Sequence, residues 1–286
     1  MFGIICSSLR LSFNMKLVTS QTFSKCVRHT KMLLIFIFLI SKINGDLETI
    51  GGDDIDIREM NQETLFISLG SYCAPASLAR TCGHRKAAFP FDWNISLDGE
   101  KLIEILRNDF SNFLNEEYLT PYGWATLLNT LYHIEFVHDG SWEGPDFAVF
   151  MPILQSKYQR RIERFKNLKN HQGKVFFIRS AYIHSIEDRN RFYKIKENIE
   201  ISEEYALRLY ESLKEYFPTL DFTLIIINNH EHKYVKEEKR IHDSLLMARA
   251  GPSFEEPVME ASYDYFFNQL LQEENKKLFL STEKYK

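Results

Sequence analysis

The sequence predicts an α/β fold in which helices pack on both faces of a mostly parallel sheet. Short apolar runs alternate with helical patterns along the chain, which is typical of βα units. Each run is apolar throughout, as expected for strands that are buried on both faces. The chain has 286 residues, 44% hydrophobic and 26% charged, which excludes collagen-like, low-complexity and disordered classes. No repeat or Pro/Gly/Ser-rich linker divides residues 65–286, so we interpret them as a single domain.

The first half of this domain predicts both strands and helices. Apolar runs indicate the strands, and apolar residues three and four positions apart indicate the helices. Pro75 is acceptable in the first turn of a helix, and Ser96 is a candidate N-cap. The predicted strands are residues 65–69 and 134–137, and the predicted helices are residues 74–81, 97–114, 123–131 and 155–170.

The second half continues the alternation of strands and helices. Glu203 and Glu204 favour a helix start because acidic side chains in the first turn interact well with the helix dipole. The predicted strands are residues 174–178 and 221–227, and the predicted helices are residues 202–217, residues 234–250 and the acidic tail from Tyr263.

The first 45 residues have the pattern of a leader. Residues 33–40 (LLIFIFLI) form an eight-residue apolar run between a basic flank and a small residue, as in a signal peptide. A bilayer core needs about 20 apolar residues, so this run is too short to span it. We expect residues 1–45 to be a signal peptide or membrane-proximal leader of an exported protein, followed by an acidic flexible lead-in at residues 46–64. A misassigned start at Met15 or Met32, before a cytoplasmic protein, is the alternative.

The charge distribution excludes nucleic acid as a partner. Six of the 35 basic residues and none of the 39 acidic residues lie in the leader, which leaves 29 basic and 39 acidic residues in the rest. The body of the protein therefore has a formal charge of -10. Binding to phosphates requires clustered lysine and arginine, and this composition does not favour such clusters. Nothing in the sequence indicates the oligomeric state.

Chemically active side chains follow the predicted strands. Cys73, His138, Arg179 and Asn228 each come after a different apolar run. In open α/β sheets, ligands bind outside the carboxyl ends of the strands. We therefore expect a thiol, an imidazole, a guanidinium and two carboxamides, those of Asn228 and Asn229, to meet at one edge of the sheet.

Cys73 also lies at the start of the predicted helix at residues 74–81. The free N–H groups and the dipole of a helix N-terminus lower the pKa of a thiol, and the same N–H groups can hold an oxyanion. The alternative is a cysteine that only packs. A helix would separate Cys73 from Cys82 by roughly 13 Å, at about 1.5 Å per residue, which is too far for a disulfide. We expect at least one free thiol.

A metal site is not expected. The histidine-rich segment near the end of the fourth strand has neither the H-E-x-x-H pattern nor zinc-finger spacing. We interpret it as part of a solvated, charged helix and expect no metal and no cofactor. The residues concerned are His230, Glu231, His232, His242 and Asp243.

Three short motifs stand out: residues 68–73 (SLGSYC), 89–93 (FPFDW) and 136–139 (FVHD). Together they resemble a family of uncharacterised proteins described as papain-like cysteine peptidases, over roughly residues 65–230. The resemblance implies that Cys73 is a nucleophile, that His138 is its general base, and that Asp92 orients the imidazole. The alternatives for the orienting group are Asp139, Asn228 and Asn229.

The sequence thus favours a papain-like cysteine peptidase or another thiol-dependent acyl-transfer hydrolase, with a peptide or amide substrate. The alternative is a non-catalytic α/β binding module for a glycan or nucleotide-sugar. A two-lobed papain-like fold is the alternative architecture, although a strand directly before Cys73 favours the α/β one. The candidate substrate-binding residues are Ser71, Tyr72, Trp93, Arg179 and Asn228.

Overall fold

A computed structural model provides the structure of the protein. The chain divides into two compact units, Met1–Ile50 and Gly51–Lys286, and the described residues all belong to the second. The predictions for the leader at residues 1–45, and for most of the acidic lead-in, lie outside the described residues. The structure describes residues 61–96, 98–122, 126–137, 147–181, 201–229, 236–250, 264–273 and 275–276.

Strands and helices alternate over most of this unit. The strands are β1 (Leu65–Ser68), β2 (Leu119–Tyr122), β3 (Thr126–Asn129), β4 (Ile134–Phe136), β5 (Val175–Ser180), β6 (Phe222–Asn229), β7 (Lys236–His242) and β8 (Leu245–Ala250). The helices are α1 (Ala74–Thr81), α2 (Gly99–Arg107), α3 (Phe147–Lys166), α4 (Glu203–Tyr216) and α5 (264–273). In the part of the chain that the structure describes, no helix combines the length and the apolar character needed to cross a membrane.

The principal sheet has five strands in the order β1-β5-β6-β8-β7. Strands β1, β5, β6 and β8 run parallel to their neighbours, and β7 pairs with β8 in the antiparallel direction. Among the described residues, β1 and β7 therefore form the two edges of the sheet. This mostly parallel sheet confirms the predicted α/β fold, and it differs from the two-lobed alternative because Cys73 follows a strand of the sheet directly.

Helices cover both faces of the sheet because its strands are apolar on both sides. Phe177 and Leu224 point to one face, where they pack with buried residues of α2, α3 and α4. Phe176 and Ile225 point to the opposite face, where they pack with α1 and α5. Side chains alternate along a strand, so a continuous apolar run supplies two cores at once.

The second sheet is antiparallel and has three strands in the order β2-β3-β4. The predicted helix at residues 123–131 is therefore wrong where the structure describes it, since Thr126–Asn129 is the central strand of this sheet. The predicted strand at residues 134–137 is confirmed as β4, but it pairs with β3 and not with the parallel sheet. An isolated bridge joins Ile95 to Glu135, and so connects β4 to the segment that leads into α2.

Two further element predictions need correction. The predicted helix at residues 234–250 is wrong, because β7 and β8 occupy residues 236–250 as an antiparallel pair. Every residue from Leu245 to Ala248 is buried, which suits a strand covered on both faces better than an amphipathic helix. Helix α2 begins at Gly99, where the side chain of Asp98, and not Ser96, accepts from the N–H groups of the first turn.

Candidate functional site

The segment 69–73, which we call the Cys73 turn, connects β1 to α1. Gly70 has a φ of 80°, a left-handed conformation that side-chain-bearing residues seldom adopt. A Cβ at Gly70 would lie 2.3 Å from Ser96 Oγ, so the position requires glycine for space as well as conformation. The Gly70 N–H donates to Ser68 Oγ at 3.1 Å.

Two other segments hold the Cys73 turn by hydrogen bonds. From the end of β5, Ser180 N–H donates to Gly70 O at 3.2 Å, and Ser71 Oγ donates back to Ser180 O at 2.6 Å. From the segment before α2, Ser96 N–H donates to Ser71 O at 2.7 Å. The turn is therefore fixed on both sides by the backbone of residues distant in sequence.

Arg179 adds a buried guanidinium to this network. Its side chain is 1% exposed and lies against the Cys73 turn. Nη1 donates to Leu69 O at 2.6 Å and to Ser96 Oγ at 3.3 Å, and Nη2 donates to Ser96 O at 2.6 Å. These three acceptors are two carbonyl oxygens and a hydroxyl oxygen, so the hydrogen bonds are made to uncharged groups and not to a carboxylate.

Cys73 occupies the N-cap position of α1, with φ -71° and ψ -16° and no hydrogen bond from its side chain to the cap. The thiol is half-buried, and among the described residues Cys73 is a free cysteine, in line with the expectation of at least one free thiol. Burial raises the pKa of the Cys73 thiol, while the backbone N–H of Cys73 and the charge of Arg80 act in the opposite direction. The sequence predicted a lowered pKa from the helix N-terminus alone. In the structure the net direction is upward, with burial of the thiol as the largest cause.

The FPFDW motif forms a buried loop around Asp92, which is 2% exposed. Asp92 Oδ2 accepts from Arg85 Nε at 3.1 Å, from Arg85 Nη2 at 2.9 Å and from Phe89 N–H at 2.9 Å. Burial raises the pKa of the Asp92 carboxyl, and Arg85 and the Phe89 N–H oppose that effect. Trp93 is half-buried, and the guanidinium carbons of Arg80 and Arg85 each lie 5.2 Å from its ring centroid. The motif therefore fixes a carboxylate and an aromatic ring beside α1.

His138 and Asp139 lie outside the described residues. The reasoning that placed His138 assumed that the preceding strand belongs to the parallel sheet, and β4 belongs to the three-stranded sheet. Strand β4 is nevertheless connected to the Cys73 turn through Ile95 and Ser96. The backbones of Glu135 and Ile95 exchange two hydrogen bonds of 2.9 Å, and Ser96, the next residue, donates to the turn.

The remaining candidate substrate-binding residues are mostly buried. Tyr72 is 6% exposed, and Ser71 and Arg179 are joined through Ser96 in the network of the Cys73 turn. Asn228 is fully buried and elsewhere engaged, since its side chain accepts from Ile201 N–H at 2.7 Å and donates to Ile201 O at 3.0 Å. The alternative of a binding module for a glycan or nucleotide-sugar assigns Arg179 to a ligand; in this structure its guanidinium donates to Leu69 and Ser96.

Sequence reasoning missed Ser96 and Ser180 as parts of the site. Ser180 could have been recognised from the sequence, because it follows Arg179 at the end of a predicted strand. Ser96 had no sequence signal beyond its candidacy as an N-cap, since its partners Ser71 and Arg179 are distant in sequence.

The described residues contain no group of three or more His, Cys, Asp or Glu side chains that could hold a metal ion. Of the histidine-rich segment, His230, Glu231 and His232 lie outside the described residues. His242 Nδ1 interacts with Ser244 N–H at 3.2 Å, and its ring packs 4.4 Å from that of Tyr210. The contacts of His242 are therefore those of a packed side chain.

Comparisons with known proteins identify relatives but no structural neighbour. An uncharacterized protein of Acanthamoeba polyphaga mimivirus is 28% identical over 144 residues, which is 43% of this chain and 64% of the viral protein. The chain thus aligns with less than two thirds of that relative's length. No solved structure matches the chain. The matching family profile extends over residues 64–232, from β1 past the end of β6, and includes the Cys73 turn and the FPFDW motif. The chain belongs to the family described as "Putative papain-like cysteine peptidase (DUF1796)".

Proposed function

We propose that the protein is a thiol-dependent acyl-transfer hydrolase for peptides or amides, with Cys73 as its nucleophile. The position of Cys73 carries the proposal: it caps α1 directly after a strand of the parallel sheet, in a turn held by β5 and by the segment before α2. Ligands of open α/β sheets bind outside the carboxyl ends of the strands, and Cys73 lies at such an end. The family description supports a peptide as the substrate.

His138 is the proposed general base. Because burial raises the pKa of the Cys73 thiol, the thiol needs an imidazole to take its proton. Cys73 Sγ then attacks the carbonyl carbon of the substrate, and the protonated imidazole gives its proton to the leaving nitrogen as the C–N bond breaks. Water hydrolyses the resulting thioester, with the imidazole again acting as base, and this step releases the acid and restores the thiol.

Backbone N–H groups at the start of α1 are the proposed oxyanion donors. The first-turn N–H groups of a helix have no acceptor within the helix. In α1 these include the N–H groups of Ala74 and Ala76, whereas Pro75 has none. The Ser77 N–H already donates to Cys73 O at 2.9 Å.

Asp92 is the proposed orienting group for the imidazole. Its three hydrogen bonds from Arg85 and Phe89 all go to Oδ2. We therefore assign Oδ1 to the imidazole. The same carboxylate would then fix its own loop through one oxygen and orient the base through the other.

Cysteine variants test the proposal on the full chain with fluorogenic peptide and amide substrates. We expect Cys73→Ala and Cys73→Ser to abolish turnover, and His138→Ala to raise the apparent pKa at which iodoacetamide labels Cys73. Cys82→Ala is the matched control, and it should keep wild-type turnover. Intact mass should show an acyl adduct on Cys73 in the wild type. Full activity in Cys73→Ala, or a Cys73 that labels with the same pH profile as Cys82, would overturn the proposal.

We also propose that the protein is exported and that residues 1–45 are its leader. The basic flank and the eight-residue apolar run at residues 33–40 support this. The mass of the protein recovered from its native source should correspond to a chain that begins near residue 46. A mature protein that retains the leader and remains in the cytoplasm would contradict export.

A further inference from the structure

We infer that Arg179 is a positioning residue for the nucleophile: its guanidinium ties Leu69 to Ser96 and thereby fixes the turn that carries Cys73. The inference rests on the proposed function in that Cys73 is taken as the nucleophile. It changes the role expected for Arg179 from substrate contact to alignment of the thiol.

The hydrogen bonds of Arg179 reach Leu69, where the Cys73 turn begins, and Ser96, which is itself hydrogen-bonded to the turn. Nη1 donates to Leu69 O, the first residue of the Cys73 turn, at 2.6 Å, and Nη2 donates to Ser96 O at 2.6 Å. Ser96 in turn donates its N–H to Ser71 O at 2.7 Å, two residues before Cys73. The guanidinium therefore closes a ring of contacts around the turn, and displacement of Arg179 would remove one link at Leu69 and one at Ser96.

The chemistry of arginine suits this task. A guanidinium is a planar fork with several donors at fixed angles, so it can hold two carbonyl oxygens in one geometry. An ammonium is a compact point charge on a flexible stem and lacks that fork. Lysine at position 179 would keep the charge but could not hold Leu69 and Ser96 in the same relation.

The burial of Arg179 favours a positioning role over contact with the substrate. Arg179 is 1% exposed, and Nη1 would lie 3.4 Å from a Cβ built on Gly70, so the turn itself covers the guanidinium. In the described part of the chain, Arg179 thus acts on the Cys73 turn through oxygen atoms of Leu69 and Ser96.

Two variants of the full chain test the inference against a matched control. Arg179→Lys removes the fork and keeps the charge, and Ser96→Ala removes only the hydroxyl acceptor 3.3 Å from Nη1. Arg160→Lys is the control, because Arg160 also donates to a backbone carbonyl, that of Ser156, which lies in α3 and outside both the Cys73 turn and the loop around Asp92. The measurements are the iodoacetamide labelling rate of Cys73 against pH, with Cys82 as internal reference, and kcat and KM on the peptide substrate.

We expect Arg179→Lys to raise the apparent pKa of Cys73 labelling by about half a unit, the size of a helix N-terminus effect on a nearby thiolate. We expect kcat to fall on the order of 10²-fold with KM little changed, as for a misplaced reacting group. Ser96→Ala should change the labelling pKa and kcat in the same directions but by less, and Arg160→Lys should change neither.

Other outcomes are equally decisive. Folded Arg179→Lys and Ser96→Ala proteins with the wild-type Cys73 profile and kcat would overturn the inference, and so would a rise in KM alone, which would indicate substrate contact. If Arg179→Lys fails to fold, Ser96→Ala decides by the same criteria. Failure of the proposed function is seen separately, as activity in Cys73→Ala or as absent turnover in the wild type. In the latter case the ratio of Cys73 to Cys82 labelling still tests Arg179.

Discussion

Asp92 has a structural role and a proposed catalytic role, and each would use a different oxygen of its carboxylate. Oδ2 accepts from Arg85 and from the Phe89 N–H, which is the usual work of a buried carboxylate in a loop. Oδ1 is the atom that we assign to the imidazole. A substitution that keeps the shape of the side chain but removes its charge affects both roles, so stability and turnover have to be measured on the same preparation.

Asp92→Asn should lower the free energy of unfolding by about 1–3 kcal/mol, because Arg85 loses a charge-assisted partner in a buried position. It should also lower turnover per folded molecule, since the carboxamide favours the wrong tautomer or orientation of the base. Urea denaturation and active-site titration measure the two effects. A destabilised protein with unchanged turnover per active site would refute the orienting role and leave Asp92 a structural residue.

His171 makes the stability of the protein depend on pH. Burial lowers the pKa of His171 from its ordinary value of 6.5, although Glu63 acts in the opposite direction. Nε2 lies 2.9 Å from Glu63 O, and Nδ1 is buried with no hydrogen-bond partner among the described residues, so this environment favours the neutral ring. A lowered pKa in the folded state means that the unfolded state binds the proton more readily. Stability contributed by the neutral ring is therefore present above pH 6.5 and is lost as the pH falls below it.

The melting temperature of the wild type should accordingly decrease as the pH falls below 6.5. His171→Gln keeps an N–H donor for Glu63 O and cannot become charged in this range, so it should show a smaller decrease. Thermal melts of both proteins over the same pH series test this. An identical pH dependence in the two proteins would assign the effect to other groups.

At the scale of elements, the predictions that succeeded concern segments whose signals are local. Helix α1 was predicted with its observed bounds, Ala74–Thr81, because Pro75 and Gly83 mark its two ends. Helix α4 was predicted to within a residue with the help of Glu203 and Glu204 in its first turn, and in the structure Ser202 caps it, since its hydroxyl accepts from Tyr205 N–H at 3.2 Å. Capping residues and helix breakers act within a few positions, so one sequence suffices to recognise them.

The element predictions that failed depend on distant partners. Residues 245–248 form an apolar run whose periodicity fits a buried strand as well as a helix, and pairing with β6 makes it a strand. Residues 126–129 form a strand because β2 and β4 flank them. The contact between Arg179 and Ser96 spans 83 positions and leaves no mark on the local pattern of either residue. The candidate nucleophile was therefore accessible from the sequence, and the network that holds it was not.

The N-cap of α2 gives a prediction at this scale. Asp98 accepts from Glu100 N–H at 3.1 Å and from Lys101 N–H at 3.3 Å, which satisfies donors that have no partner within the helix. Asp98→Ala should lower the free energy of unfolding by about 1 kcal/mol, the usual value of an N-cap side chain. Asp98→Ser, which retains a capping oxygen, should recover most of the loss in urea denaturation. Equal destabilisation by both substitutions would show that the cap is not the cause.

At the scale of the whole molecule, aromatic rings fill the larger core between the sheet and helices α2, α3 and α4. Phe165 lies at its centre, with ring centroids 6.0 Å from Phe91, 5.5 Å from Phe110 and 5.3 Å from Phe217. These rings come from three different parts of the chain: the FPFDW motif, the end of α2 and the end of α4. The core therefore joins the loop that contains Asp92 to the main body of the domain.

Phe165→Ala should lower the free energy of unfolding by about 3–5 kcal/mol, the cost of removing a buried aromatic side chain and leaving a cavity. Tyr265→Ala is the control, because Tyr265 is 66% exposed and its loss should change stability by less than about 0.5 kcal/mol. Both values follow from urea denaturation. A small loss in Phe165→Ala would mean that the core collapses around the vacancy.

Strand β7, at one edge of the parallel sheet, has a consequence for the behaviour of the protein in concentrated solution. An edge strand presents a row of backbone donors and acceptors that can pair with another chain. The sequence of β7, KEEKRIH, carries charge at five of its seven positions, and its register with β8 shifts twice. Desolvating those charges is costly, and an irregular ladder offers a poor template for intermolecular pairing. The edge is thus protected against aggregation by strand addition, and replacing its lysines with β-branched apolar residues would create a self-associating protein.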